Sequence, residues 1–89
     1  MGKKRIGVIA VVVEEREQAA EEINQVMSEY AEIIRGRMGI PFQESELSTI
    51  ALIVEGTPDS VSAVTGKLGN ITGVSLKSAL TSCTLEKGC

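Results

Sequence analysis

The stretch Ile6–Val13, IGVIAVVV, decides the fold class. It is a continuous apolar run, rich in β-branched residues, and two charged residues, Glu14 and Glu15, follow it directly. An apolar run of this length that ends in charge is typical of a strand buried on both faces. We therefore predict a central strand here, and both of its apolar faces need to be covered by other parts of the protein or by a partner.

The next segment changes from strand to helix periodicity. From Glu14 to about Glu32, apolar residues recur every three or four positions opposite a glutamate-rich side, which predicts an amphipathic helix. The predicted buried stripe of this helix is Ala20, Ile23, Met27, Tyr30 and Ile34, with Val26 beside it. A short edge strand, in which Ile34, Met38 and Ile40 share one face, then ends at Pro41.

The second half of the chain repeats the alternation. Residues Leu47–Glu55, LSTIALIVE, predict a strand with apolar side chains on both faces. Thr57-Pro58-Asp59 is a typical helix start, with threonine as the N-cap and proline at the first helical position. We expect this helix to end at Gly69. An alternating strand, Val74–Leu80, follows.

The order β-α-β-β-α-β predicts an α+β fold. It matches the ferredoxin-like two-layer sandwich, in which a four-stranded antiparallel sheet carries two helices on one face. The first and third strands are then central, and Arg35, Arg37 and Lys77 lie on the edges, where charge prevents unwanted pairing. We predict one domain over residues 1–82 and a C-terminal tail over residues 83–89.

Two helices can cover only one face of such a sheet, yet the central strands supply apolar side chains to both. A large uncovered apolar surface usually marks an interaction site, and a chain of 89 residues has little stability to spare. We therefore expect a homo-oligomer, either a dimer or a tetramer.

Charge and hydropathy exclude several classes of function. The net charge is −3, with acids clustered in the first helix, whereas proteins that bind nucleic acid directly usually carry a basic excess. The apolar run after Lys3 and Lys4 is too short to span a membrane and lacks a signal-peptide cleavage site. We expect a cytoplasmic protein with no membrane or direct nucleic-acid partner.

The chain contains no histidine, the residue most used as a general base and as a metal ligand. Cys83 and Cys89 do not have the spacing of a zinc site, and there is no further cysteine to complete one. We predict no catalytic residue, no metal and no cofactor, and we leave the role of the two cysteines open.

Arg35 and Arg37 form the most unusual pair in the sequence. On a regular strand they would point the same way, and the neighbouring Gly36 and Gly39 would let a ligand approach the backbone. Such a pair can bind a carboxylate or phosphate bidentately. The alternative is that these arginines protect a sheet edge, or pair with glutamates of a neighbouring subunit.

Three stretches carry a resemblance to a known family: KKRIGVIAVVVEERE near the start, GRMGIP at residues 36–41, and ALIVEGTPDSVSAVTGKLGNITGVSLKSAL at residues 51–80. They resemble small proteins regarded as regulators of the iron-only hydrogenase system in bacteria. That family is similar to ACT domains and to the sensing domain of the nickel-responsive repressor, both of ferredoxin-like fold. The resemblance implies a regulatory role.

ACT domains generally bind amino acids or similar small molecules between subunits, near the first strand-to-helix junction and the second helix. The resemblance therefore implies Glu14, Glu15, Arg16, Gly66 and Asn70 as candidates, with Arg35, Arg37 and Gly39 on the facing strand. The residues also allow purely structural interpretations: the two glutamates can be a solvated helix start, and Gly66 can permit close packing.

Two departures limit this resemblance. Without histidine the nickel repressor's metal site cannot form. Because Lys3–Arg5 lead directly into the first strand, we expect no ribbon-helix-helix segment, so a partner would have to contact DNA. Our leading hypothesis is a regulatory module that senses a small ligand, expected to be anionic, at a subunit interface. The alternative is an interaction module that docks on a maturation factor or transcription regulator, and a small α+β enzyme is the weakest hypothesis.

Overall fold

Four strands and two helices follow each other in the predicted order. The computed structural model describes residues 2–89, and Met1, which the predicted domain 1–82 includes, lies outside the described residues. The elements are β1 Arg5–Val13, α1 Arg16–Glu29, β2 Ile34–Pro41, β3 Ser48–Gly56, α2 Pro58–Gly69 and β4 Val74–Leu80. Neither helix in the described chain is long and apolar enough to cross a membrane.

The strands form one antiparallel sheet in the order β2-β3-β1-β4. In its centre Ile9 pairs with Leu52, and Ala10 pairs with Ala51. On its other side β1 pairs with β4, where Val11 lies opposite Leu76. The predicted α+β fold with two central and two edge strands is confirmed.

Both helices pack on the same face of the sheet, and this face contains the core. Alternate residues of the central strands point toward the helices, and Ile9, Val11, Leu52 and Val54 have relative exposures of 0–1%. The helices contribute the remaining buried apolar residues: Ala19, Ile23, Val26 and Met27 from α1, and Val61, Val64 and Leu68 from α2. Period-two strands and period-3.6 helices thus meet in one aliphatic layer.

The helix termini show where the local predictions were right and where they were wrong. The side chain of Thr57 accepts a hydrogen bond from the Ser60 amide at 3.1 Å, so Thr57 is the predicted N-cap. In α1 the buried stripe begins at Ala19, whereas Ala20 is exposed. Adjacent helical residues point about 100° apart, so Ala19 lies on the core side with Ile23, whereas Ala20 lines the side of α1 next to the edge strand.

A β-bulge in β2 overturns the prediction that Arg35 and Arg37 share a face. The register against β3 shifts between Ile34 and Gly36, so that Ile34 lies opposite Val54 but Arg37 lies opposite Leu52. Both partners point toward the helices, so Ile34 and Arg37 do as well. The extra residue, Arg35, is left on the opposite face, which a bulge allows and a regular strand does not.

We call the face of the sheet without helices the open face. Its central residues are Val8 and Ile53, which pair with each other and are 41% and 45% exposed. Met38 and Ile40 extend it along β2, with exposures of 62% and 50%, and Val12 extends it along β1. The bulge also separates Met38 and Ile40 from Ile34, contrary to the prediction that all three share a face. The predicted uncovered apolar surface is present.

The residues directly after β4 continue in the same direction along the start of β1. The Ile6 amide donates to the Cys83 carbonyl at 3.0 Å, and the Thr81 amide donates to the Ile6 carbonyl at 3.0 Å. Cys83 and Cys89 form a disulfide that closes this C-terminal segment into a ring. The two cysteines whose role the sequence left open are therefore bonded to each other.

Two glycines make a matched test of this packing. An alanine at Gly7 would place its Cβ against the Ala79 carbonyl oxygen and 2.9 Å from the Leu80 Cα, both backbone atoms of β4. At Gly66 a Cβ would meet nothing within 4 Å, so no described residue of this chain packs closely against that glycine. We expect Gly7→Ala to lower the free energy of unfolding by about 1–3 kcal/mol, as overpacking does.

Gly66→Ala, in contrast, is expected to raise the free energy of unfolding by about 0.5–1 kcal/mol, because alanine favours a helix interior. Urea unfolding monitored by circular dichroism measures both variants. Equal effects of the two substitutions would contradict this account of the β1–β4 contact.

Candidate functional site

A cleft lies between α1 and the outer half of the sheet. We call it the arginine cleft, after Arg16 and Arg37, the two charged residues among those that line it. Its volume is about 150 Å³. The remaining lining residues are Val13, Ala20, Ile23, Asn24, Met27, Gly39, Ser48 and Ile50.

Arg37 reaches the cleft because of the bulge in β2. Its Nη1 lies 3.8 Å from the Met27 Sδ on α1, and a thioether sulfur is only a weak acceptor. Among the described residues, the ion pairs join Arg35 to Glu55 and Lys67 to Glu29, so no carboxylate neutralises Arg37. Its guanidinium is therefore available to an anion.

Arg16 occupies the opposite end of the cleft at the first residue of α1. Its Nη1 donates to the Ser45 carbonyl at 3.0 Å and to the Leu47 carbonyl at 3.1 Å. These bonds fasten the loop between β2 and β3 to the start of α1. Arg16 thus holds the wall of the cleft in place while it contributes a positive charge.

Gly39 keeps the middle of the cleft open. It pairs with Ile50 on the face toward the helices, where any other residue would project a side chain into the cleft. A Cβ there would lie 3.9 Å from the Ile50 Cγ1, an ordinary contact, so the backbone itself tolerates a larger residue. The side-chain hydroxyl group of Ser48, a buried residue, completes the floor.

The structure brings together three of the eight predicted site residues: Arg16, Arg37 and Gly39. Arg35 lies on the open face, where its Nη1 donates to the Glu55 Oε1 at 2.6 Å. This pair matches the edge-charge interpretation, with the glutamate supplied by the same chain. A bidentate clamp of Arg35 with Arg37 is not formed, because the two side chains point to opposite faces.

The other four predicted residues lie apart from the cleft. Glu14 and Glu15 are exposed at the β1–α1 junction, where the Glu14 amide donates to the Gly73 carbonyl at 2.8 Å. Gly66 faces open solvent on α2. Asn70 follows α2 as its C-cap and lines a shallow groove between the two helices.

Two polar residues of the cleft were missed in the sequence. Asn24 lies one turn after Ala20 on α1, and Ser48 begins β3. The helical spacing was the available signal for Asn24, since residues four apart lie on the same side of a helix and Asn24 follows Ala20 by four.

The groove between the helices carries an ion pair. The Lys67 Nζ donates to the Glu29 Oε2 at 3.1 Å and lies 5.5 Å from the centre of the Tyr30 ring. The hydrogen bond and the charge of Glu29 raise the pKa of Lys67 above its ordinary value of 10.5. Both side chains are about half exposed, so this pair fixes the spacing of the helices only weakly.

Comparison with known proteins identifies the family. The model of a family described as "TM1266-like: Iron-only hydrogenase system regulator, putative" matches residues 5–78. None of the curated proteins matches the sequence. The solved structure of the protein TM1266 from Thermotoga maritima is 34% identical and has a TM-score of 0.85, covering 90% of this chain and 100% of that one.

More distant structures share the fold alone. The ACT domain of GTP pyrophosphokinase from Chlorobium tepidum is 19% identical with a TM-score of 0.72, covering 85% of this chain and 99% of that one. A nitrogen regulatory PII-like protein from Thiomonas intermedia, solved with ADP, AMP and bicarbonate, is 10% identical with a TM-score of 0.51. It covers 86% of this chain and 90% of that one.

The pair in the helix groove gives a prediction on pH. Because the folded pKa of Lys67 is raised, the pair contributes stability below pH 10.5, and this is lost as the pH rises through the folded pKa. Glu29→Gln should return the pKa of Lys67 toward 10.5, as measured by a carbon NMR titration of its Cε. Glu22→Gln, in the same groove, is the control and should leave that pKa unchanged.

Proposed function

Because the chain belongs to the iron-only hydrogenase system regulator family, we propose that it is a non-enzymatic regulatory module that binds a small organic anion in the arginine cleft, at a subunit interface. The observation that carries this proposal is the charge of the cleft. Arg16 and Arg37 line it, and no acidic side chain does so within the described residues.

The lining of the cleft favours a ligand with a charged end and a short apolar body. Guanidinium groups bind carboxylate and phosphate oxygens through paired N–H donors. Apolar side chains from Val13, Ile23 and Ile50 form the rest of the wall. With a volume of about 150 Å³, the cleft suits a short carboxylate or a small amino acid better than a nucleotide.

The chemistry of the cleft supports binding without catalysis. Arginine stays protonated in proteins, so Arg16 and Arg37 can hold an anion but cannot act as a general base. The sequence has no histidine to take that role. Ser48 is the only hydroxyl-bearing residue that lines the cleft within the described chain, and no side chain there can take its proton as a general base.

The cleft lies beside β2, an edge strand that pairs on one side with β3. Its outer side is therefore available to another chain, which would complete the wall next to Arg37 and Gly39. This position supports a ligand site shared between subunits.

The open face supports self-association, and we assign it to a second copy of this chain. Strands of 7–9 residues in a four-stranded sheet cover roughly 19 by 26 Å, or about 500 Å² in each copy. Two such faces together approach the roughly 1,000 Å² that a specific interface needs. The apolar pair Val8 and Ile53 lies in the middle, where interfaces are most apolar.

Anion binding can be tested with a matched pair of variants. In a thermal-shift screen of short carboxylates, amino acids and inorganic phosphate, at least one compound should stabilise the wild type. Arg37→Gln should weaken its binding, measured by calorimetry, about 10- to 100-fold, because a charged hydrogen bond contributes about 1.5–3 kcal/mol. Lys77→Gln removes the same charge from β4 and should leave binding unchanged.

A third variant tests the space in the cleft separately from its charge. Gly39→Leu keeps both arginines but fills the cleft, and it should abolish binding of the same compound while the protein stays folded. Equal loss of binding in Arg37→Gln and Lys77→Gln would indicate general attraction of anions and contradict a site in the cleft.

Self-association can be tested at the centre of the open face. Analytical ultracentrifugation of the wild type at micromolar concentration should show a dimer or tetramer. Ile53→Asp should raise its dissociation constant at least tenfold, since the interface would bury an unpaired carboxylate. Ala63→Asp, exposed on α2, adds the same charge to the helical side and should have no effect.

A monomeric wild type would contradict the assignment of the open face to a second copy. The face would then suit a partner protein, as the alternative of an interaction module predicts. Pull-down on the wild type and Ile53→Asp would test that alternative directly.

A further inference from the structure

The C-terminal ring has its own internal structure. The Thr84 amide donates to the Gly88 carbonyl at 3.1 Å, and the Gly88 amide donates back to the Thr84 carbonyl at 2.8 Å. Gly88 adopts a positive φ of 71°, which lets the chain reverse there. The Cys83–Cys89 disulfide closes this reversal. The ring is therefore a defined turn and presents its side chains in fixed directions.

The ring presents Leu85 to one end of the open face. Leu85 lines a shallow hollow of about 210 Å³ together with Ile6, Ile53 and the Arg35–Glu55 pair. Leu85 itself is 64% exposed, so it extends the apolar surface at this end and does not cover it. The ring and the central residue of the open face, Ile53, are thus parts of one continuous surface.

The fold does not depend on this ring. The buried core cluster ends with Ile71, and the last residue packed against it is Leu80. The register of β4 with β1 ends at Leu80, and the ring is joined to β1 by the hydrogen bond from the Ile6 amide to the Cys83 carbonyl. Opening the ring would therefore leave the two-layer fold intact while it released the segment that carries Leu85.

The disulfide is also accessible. Cys89 is exposed and Cys83 is half-buried, and the residues between them are mostly exposed. Thiol–disulfide exchange requires that a thiolate reach one of the two sulfurs, and exposed disulfides are more often the labile, regulatory ones. A dithiol reagent or a dithiol protein can approach this bond from solvent.

We propose that Cys83 and Cys89 are a redox-active pair whose state controls the extent of the open face. A dithiol reductant transfers two electrons and two protons: its own disulfide forms, the Cys83–Cys89 bond breaks, and two thiols remain. The oxidised ring holds Leu85 beside Ile6 and Ile53, and the reduced segment does not. Oxidation thereby strengthens association of a second copy, and this second step rests on the proposed self-association.

The redox step is tested on the full chain by equilibration with reduced and oxidised dithiothreitol at a series of ratios. Free thiols are then alkylated and counted by mass spectrometry. We expect one reversible transition between zero and two alkylated cysteines per chain, with no disulfide between chains. Disulfides between chains, or two alkylated cysteines at every ratio, would overturn the proposed pair.

The release of the segment is tested by amide hydrogen exchange. Reduction should increase the exchange of the Thr84 and Gly88 amides at least tenfold, while that of the central amides of Ile9 and Leu52 stays unchanged. The double variant Cys83→Ser/Cys89→Ser should match the reduced wild type. Unchanged exchange at Thr84 and Gly88 would overturn the release, and faster exchange throughout the sheet would overturn the claim that the fold is independent of the ring.

The coupling is tested by the dissociation constant for self-association. It should rise three- to tenfold on reduction, and oxidised Leu85→Ser should behave like the reduced wild type. Lys87→Ser, in the same ring, is the control and should keep the oxidised value. Equal association in both redox states would overturn the coupling and leave the proposed self-association standing. A monomer in both redox states would overturn the coupling and the proposed self-association. The alkylation experiment would still decide whether the cysteines are a redox pair.

Discussion

The structure depends on a mismatch between a sheet that is apolar on two faces and helices that cover one of them. Successive residues of a strand point to opposite sides, so β1 directs Ile9 and Val11 into the core and Val8 and Val12 outward. A polar outer face could have stayed in contact with water without any cover. The uncovered valines and isoleucines instead form an exposed apolar surface, and this surface is the feature that supports the proposed self-association.

The sequence was sufficient for the fold because its signals were local and agreed with one another. The β-branched run Ile6–Val13, the N-cap at Thr57 and the period of α1 each specified one element, and the element order then left one common topology. Burial on the helical face followed from strand alternation. The error at Ala20 arose because Ala19 and Ala20 are adjacent alanines, and the helical period fits either of them equally well.

The candidate site was harder to predict, since it depends on one unpaired residue. Strict alternation along β2 predicted a common face for Arg35 and Arg37. The bulge leaves Arg35 without a partner on β3, so the alternation is interrupted there and the two arginines point to opposite faces. Nothing in RGRMG marks the place of that bulge, because the two glycines allow it at more than one position. Arg37 consequently joins Arg16 in the cleft, whereas Arg35 pairs with Glu55 on the opposite side of the sheet.

The same bulge connects the two surfaces of the molecule. After it, neighbouring residues of β2 alternate strictly: Arg37 and Gly39 line the arginine cleft, and Met38 and Ile40 extend the open face. β2 is hydrogen-bonded to the sheet along β3 only, so it is less constrained than the central strands. Any displacement of this strand must move a cleft residue and an open-face residue together, because they are joined by one peptide bond. The edge strand is therefore the element that connects the site of the proposed anion binding with the surface of the proposed self-association.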